Sequence, residues 1–307
     1  MPVVVCPWMV SGGHCLVRER SGLLLDYDFR SESPTADLLK DFELNGSAPS
    51  ANSWASVQAD GLHIGVGAHQ PGTWEGFFAV TRAAYPASSV FHVRMSREPR
   101  NVMSRSQTGE AVFAVQTGTT KRTGDINYVL VASVTNAGCT YWEVGYAEGH
   151  VADATTTILW TGPPSPTASV SEDITLRTDG HSSYVVYFGN RVVYESKALK
   201  MNIVPPFQAY LEVQALEIAY ESRFQDFWIV RDDAIVVDGL HEGDRVTLAP
   251  AGGAPVQAVA DASGRARLTL APPQAKGTGT LTILSGASPR RFPGLLYAGG
   301  DVYRIYA

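Results

Sequence analysis

Residues 174–196, ITLRTDGHSSYVVYFGNRVVYES, and residues 205–231, PPFQAYLEVQALEIAYESRFQDFWIVR, decide the fold. In the first stretch apolar and polar residues alternate, break at Asp179-Gly180, resume, and break again at Gly189-Asn190. Successive side chains on a strand point to opposite faces, so this alternation predicts short strands with one buried side. The breaks predict tight turns between antiparallel partners. The second stretch ends in Phe224–Val230, an apolar run expected to close a sheet.

The same reading extends over the rest of the chain. Strands are predicted over Leu23–Arg30, on both sides of Asp60-Gly61 within Trp54–Gly67, and over Thr73–Thr81 and Ser89–Arg97. Further strands are predicted over Ala111–Thr117, Asn127–Thr135, Tyr141–Tyr146 and Thr155–Trp160. Ala36–Leu44 has helical spacing, with Leu38, Leu39 and Phe42 on one side and a stop at Asn45-Gly46. Gly162–Pro166 is a surface loop. Strands at this spacing with no alternating helices describe an antiparallel sandwich and argue against a doubly wound sheet.

The "DG" turn of 174–196 followed by the FQDFWIV strand resembles the last third of a concanavalin-like (laminin-G-like) jelly roll. That resemblance implies a jelly roll over residues 23–231. From Asp232 the chain reads AIVVDGLHEGDRVTLAP, APVQAVADASGRARLTLAP and GTGTLTIL, with a turn at Asp261–Gly264. This resembles small Ig-like or carboxypeptidase-regulatory-like sandwiches. The expected fold class is therefore all-β: an N-terminal docking segment over 1–22, an antiparallel jelly-roll sandwich over 23–231, and a small Ig-like β-sandwich over 232–307. Both likenesses are at the level of fold, which does not fix function.

Composition narrows the partners. The chain has 307 residues, long enough for two domains, and is 45% hydrophobic, 18% charged and 10% aromatic. Net charge is −6, with 17 basic and 24 acidic residues up to Asp232 and 7 and 6 beyond it. With no cluster of Lys and Arg, a nucleic-acid partner is not expected. Acidic glycans are no obvious ligands for the larger part either. No run approaches the length of a membrane span. The first ten residues, MPVVVCPWMV, lack a basic start and are broken by Pro7, so Val3–Val10 is expected to be a strand or docking segment rather than a signal peptide. A protein of this kind acting outside a cell would leave by lysis or within an assembled particle.

The search for chemistry returns little. The cysteines are Cys6, Cys15 and Cys139; Cys6 and Cys15 could pair across a hairpin or stay as idle thiols. Cys6, His14 and Cys15 fall short of a zinc set. His63, His69, His92, His150, His181 and His241 form no HxH or HExxH pattern. Laminin-G-like domains can hold calcium, for which Asp125, Asn127 and Asp153 are weak candidates. The laminarinase-type motif E-[aliphatic]-D-x-x-E is absent. Its nearest approach, Glu212, Glu217 and Glu221 in LEVQALEIAYE, reads as solvent-facing glutamates on a half-buried strand. No catalytic residues, metal or cofactor are assigned. The aromatic residues Trp54, Trp74, Tyr128, Tyr141, Trp142, Tyr146 and Trp160 gather before the Pro-rich loop. Of these, Trp74, Tyr141, Trp142 and Trp160 are the candidates for stacking on a sugar, against the alternative of filling the core. Tyr141 and Trp142 must point to opposite faces.

The expectation from sequence is a non-catalytic structural or adhesive protein of an extracellular assembly, such as a phage-like virion. It would be oligomeric, with protein partners and a possible surface glycan. The alternative is a secreted carbohydrate-binding or glycoside-processing β-sandwich protein.

Overall fold

A computed structural model describes residues 8–30, 38–46, 53–67, 70, 72, 74–97, 108–116, 127–136, 139–149, 155–164, 170–216 and 219–306. In chain order the strands are β1 (Trp8–Ser11), β2 (His14–Arg20), β3 (Leu23–Tyr27), β4 (Phe42–Gly46), β5 (Trp54–Gln58), β6 (Gly61–Val66), β7 (Trp74–Thr81) and β8 (Val90–Arg97). There follow β9 (Thr108–Gln116), β10 (Tyr128–Asn136), β11 (Cys139–Glu148), β12 (Thr155–Thr161), β13 (Val170–Thr178), β14 (Tyr184–Phe188), β15 (Arg191–Ser196), β16 (Phe207–Leu216) and β17 (Tyr220–Val230). The last are β18 (Ala234–Asp238), β19 (Arg245–Pro250), β20 (Val256–Val259), β21 (Ala266–Thr269), β22 (Lys276–Ser285), β23 (Ser288–Ala298) and β24 (Val302–Tyr306). Among the described residues helix is confined to one turn, α1 (Leu38–Asp41), and a 3-10 turn at Pro272–Gln274.

The chain divides into two compact units: residues 26–87 with 91–228, and residues 1–25 with 88–90 and 229–307. The larger is a jelly roll of two sheets. One has seven strands in the order β12-β11-β10-β9-β16-β7-β4; the other runs β15-β14-β13-β8-β17-β6-β5, with β3 also paired to β17. Their shared core follows the alternation. On β16, Phe207, Ala209, Leu211, Val213 and Ala215 are all 0% exposed, and facing them on the eight-stranded sheet Leu62, Ile64, Phe91, Val93, Ile174 and Phe224 are equally buried. Tyr184 crosses between the sheets and donates its hydroxyl to the Leu130 carbonyl at 2.9 Å. Burial pushes the ionisation of that phenol well above its ordinary range.

The turn at Asp179-Gly180 is the best-determined piece of local sequence. Gly180 has φ +77°, and a Cβ there would lie 1.9 Å from the Ile203 carbonyl, so only glycine fits. Asp179 caps the turn, its Oδ1 accepting from the N–H groups of His181, Ser182 and Ser183. The helix expected over Ala36–Leu44 shrinks to α1. From Phe42 the chain is strand, because Phe42 and Leu44 pair with Thr81 and Ala79 on β7 and Phe42 packs against Phe227 at 5.6 Å. The stretch LEVQALEIAYE is likewise not one strand. β16 ends at Leu216 in the seven-stranded sheet, and β17 starts at Tyr220 in the eight-stranded one.

The smaller unit is a sandwich of a five-stranded sheet, β1-β2-β24-β18-β21, and a four-stranded sheet, β20-β19-β22-β23. Its core joins Leu16 from the N-terminal hairpin to Ile235, Val237, Leu248, Leu281 and Tyr303. The hairpin pairs antiparallel with the last strand, Leu16 opposite Ile305. Asp301, in the Gly-Gly-Asp turn before β24, ties the two ends together. Its fully buried carboxylate accepts from Gly22 N–H at 2.6 Å, Ala298 N–H at 2.9 Å and the Tyr303 hydroxyl at 2.6 Å. Cys15 and Cys139 are free thiols, and Cys6 lies outside the described residues.

Candidate functional site

The chemistry gathers on the outer face of the seven-stranded sheet, the one turned away from the shared core. It is built from β16. With the odd residues of FQAYLEVQAL facing the core, the even ones, Gln208, Tyr210, Glu212 and Gln214, point the other way. Register places Tyr210 opposite Val80, Glu212 opposite Phe78 and Gln214 opposite Gly76 on β7. The rings of Phe78 and Tyr210 lie 4.5 Å apart between centroids. On the far side, β10 contributes Leu130, Ala132 and Val134 to the same cluster, flanked by Tyr128 and Tyr141. Ala132 lies opposite Glu143 and Val134 opposite Tyr141 on β11.

Within this apolar and aromatic floor, Glu212 is 0% exposed. Gln214 Nε2 donates to its Oε1 at 2.8 Å. The expectation that Glu212 is a solvent-facing glutamate is thus corrected. Its strand does present it away from the core, but it is buried on that face as well. Taking a carboxylate out of water costs several kcal/mol before any compensation, so an acid here is expensive for the fold. Glu143 is half-buried on the same face, and burial pushes its carboxyl above the ordinary carboxylate range.

Spacing decides how these acids can combine. Glu143 and Glu212 sit three strand-to-strand steps apart, about 14 Å at about 4.8 Å per step. That exceeds the roughly 5–9.5 Å between the two carboxyl groups of glycosidases. The neighbouring strand offers a closer position. Ala111 pairs with Leu211 and Gly109 with Gln214, so the backbone of Glu110 on β9 lies beside Glu212 on β16.

The residues singled out for sugar stacking separate. Tyr141 belongs to the outer cluster. Trp142 is 9% exposed in the core, edge-on to Phe188 at 5.2 Å. Trp160 meets the same Phe188 at 5.9 Å. Trp74 opens β7, and its side chain lies outside the described residues, as do Asp125, Asp153 and Glu217. Asn127 is buried and its side-chain oxygen accepts from Gly149 N–H at 3.4 Å. Among the described residues no group of three or more His, Cys, Asp or Glu is placed to hold a metal ion, and no helix is long and apolar enough to cross a membrane. Phe78 and Tyr210 escaped the sequence reading, and Glu212 entered it only as a solvent-facing glutamate. Only the parity of β16, with a glutamate and a tyrosine opposite a fully apolar side, signalled them.

No family model matches the sequence, and no curated protein does. Solved structures of similar shape exist. An endo-acting O-glycanase from the human gut microbiota aligns at 11% identity and TM-score 0.46, covering 69% of this chain and 100% of that one. A galectin-like protein of unknown function from Bacillus subtilis aligns at 12% identity and TM-score 0.42, covering 70% and 98%. A glycosyl hydrolase family protein from Mycobacterium fortuitum aligns at 10% identity and TM-score 0.42, covering 67% and 99%. The larger unit is a jelly-roll sandwich by its own sheet order, and these chains are similar to it in fold alone. The expectation of a non-catalytic protein is corrected: glycoside hydrolases stand among the chains that align, and the absence of a one-strand acid motif does not exclude catalysis.

Proposed function

We propose that the outer face of the seven-stranded sheet is a carbohydrate site, and that the protein binds a glycan there along Tyr128 and Tyr141, with the buried Glu212 in the floor beneath. The observation that carries this reading is the patch of rings and aliphatics made by Phe78, Tyr210 and the β10 side chains, with Tyr128 and Tyr141 partly exposed at its margin. Sugar sites combine ring faces for stacking with a few fixed polar groups. Here Tyr128 and Tyr141 flank the floor as partly exposed rings, and Gln208 and Gln214 supply amides. The structural or adhesive reading draws no support from any feature of the described residues.

The test is a panel of oligosaccharides offered to the full chain, read by calorimetry for binding and by reducing-end release for cleavage. The wild type is expected to bind at least one class. Tyr141→Ala is expected to weaken that binding by roughly tenfold or more. Binding unchanged in Tyr141→Ala would remove this ring from the site, and a wild type that binds no glycan would remove the reading.

A further inference from the structure

The outer face of the eight-stranded sheet lies opposite the proposed carbohydrate face. Ion pairs such as Arg94–Asp173 cover its middle, but its margin at β5 is left open in two ways. The first is a ring. Register sets Trp54 on β5 opposite Gly65 on β6, and Gly65 opposite Glu221 on β17. All three take the outer face, since the adjoining Ile64 is buried in the shared core. Trp54 and Glu221 stand about 10 Å apart, two steps of about 4.8 Å, and the glycine between them has no side chain to fill the gap. The indole fills it: a Cβ on residue 65 would lie 2.5 Å from Cε2 and 2.6 Å from Cζ2 of Trp54. The ring rests on the glycine, and Trp54 is still 37% exposed. Beside it, the Glu221 carboxylate engages His63 through Oε1, and no described residue hydrogen-bonds its Oε2. Arg223, two residues on, is held by Asp60 and Ser96. The second opening is a strand edge. β5 ends its sheet, and among the described residues no strand pairs with its far side. Its sequence, WASVQ, holds neither a charge nor a proline, the usual guards of an edge.

We infer that this margin docks an extended segment of a partner protein by strand addition to β5, with an arginine of that segment laid on Trp54 and hydrogen-bonded to Glu221. Strand addition takes its affinity from main-chain hydrogen bonds and its specificity from alternate side chains. An added strand sends every second side chain to the outer face about 4.8 Å from β5, and a long side chain starting there reaches over the indole towards Glu221. A guanidinium suits the place. It is planar, stacks on an aromatic face, and keeps its N–H groups in its own plane, where they donate to a carboxylate at the margin of the ring. The indole also attracts its charge. A lysine ammonium meets the same ring as a strongly hydrated point charge, and an anion meets the Glu221 carboxylate. A sugar would stack on the ring and leave the strand edge unused. The open edge beside the ring is what favours a polypeptide.

Calorimetry on the full chain tests this with short threonine–serine peptides that carry one arginine at each position in turn. The same peptides with lysine, glutamine or glutamate in its place are the comparison. At least one arginine peptide is expected to bind, at least about tenfold tighter than its glutamine counterpart, one step of about 1.4 kcal/mol. Trp54→Ala should abolish that gap, and Glu221→Gln should narrow it. Gly65→Ala keeps the indole but displaces it from its seat, and should weaken the arginine peptide as well. N-methylation of alternate peptide nitrogens, which removes main-chain donors, should weaken binding by a similar factor in one of its two registers. Equal affinity for arginine, lysine and glutamine peptides would overturn the inference. So would affinity for the arginine peptide unchanged in Trp54→Ala or in Gly65→Ala, or N-methylated peptides that bind like their parents in both registers. A wild type that binds none of the peptides would overturn it too, and a loss of glycan affinity in Trp54→Ala would give the ring to a sugar instead.

Discussion

The two sheets of the jelly roll bury the same kind of inner face and treat charge on their outer faces in opposite ways. On the eight-stranded sheet, acids and bases are paired. Arg94 holds Asp173 through two hydrogen bonds of 2.8 and 2.7 Å. Arg30 reaches Asp28 at 2.9 Å and Asp226 at 2.7 Å. His63 lies between Asp60 and Glu221, and Arg223 closes on Asp60 from the other side. On the seven-stranded sheet Glu212 is buried among rings and Glu143 sits half-buried opposite an alanine. A surface of paired charges is self-sufficient and gains little from a partner. One that buries acids without cations in its strands has given up stability at those positions, and such positions are where function is sought.

The sharpest way to break this comparison uses two adjacent residues. Trp142→Ala is expected to destabilise the fold by about 3–5 kcal/mol, because it empties a core position packed on Phe188. Tyr141→Ala should cost no more than about 1 kcal/mol of stability and weaken glycan binding by roughly tenfold or more. Urea denaturation and calorimetry on the same preparations separate the two. If both variants lose stability equally, Tyr141 is core and the outer face is not a site.

His63→Ala strikes the paired face. Asp60 and Glu221 would then face each other across the vacated ring position, at an expected cost of about 1–3 kcal/mol. Glycan affinity should be unmoved. Arg94→Ala, whose ion pair with Asp173 is 39% and 36% exposed, should cost within about 1 kcal/mol. A change in glycan binding in either variant would mean that the ion-paired face takes part after all.

Glu212→Gln should do the reverse. Removing a buried carboxylate while keeping its shape is expected to raise stability by about 1 kcal/mol and to leave glycan affinity within a few fold. A thermal melt that drops by several degrees would show that Glu212 is structural.

The sequence carried most of this fold. The Asp179-Gly180 and Gly189-Asn190 breaks became the β13–β14 and β14–β15 connections, and alternation marked the inner faces of β8, β13 and β16. It could not show that the N-terminal hairpin pairs with β24, because no local pattern encodes a partner nearly 300 positions away. The site was half legible. Parity alone put Tyr141 and Trp142 on opposite faces, but which face is core depends on the second sheet. Glu212 was misread because alternation separates two faces and says nothing about whether the outer one is covered. The chain also turns between Leu216 and Tyr220, so glutamates that look like one row lie in different sheets.

The two sheets should also respond oppositely to pH. On the eight-stranded sheet, the hydrogen bond from His63 holds Asp60 below its ordinary 3.8, helped by Arg223 against the effect of burial. Asp179 is held lower still: burial pushes it up, but the N–H groups of Ser183, His181 and Ser182 prevail. An acid whose folded value is depressed contributes stability above its unfolded value and loses it as pH falls towards the folded value. Glu143 works the other way. Burial raises it above its ordinary 4.5, so its contribution is greatest below that value and is lost as pH rises through the higher folded one. Glu172 on β13 is raised by burial too, so the clean comparison is between variants. Asp60→Asn should flatten the loss of urea midpoint below about pH 4, and Glu143→Gln should flatten the decline above about pH 4.5. Were Glu143→Gln to track the wild type from pH 4 to 7, its carboxyl would be solvated like any surface glutamate, and the outer face would lose one of the acids that set it apart from the sheet behind it.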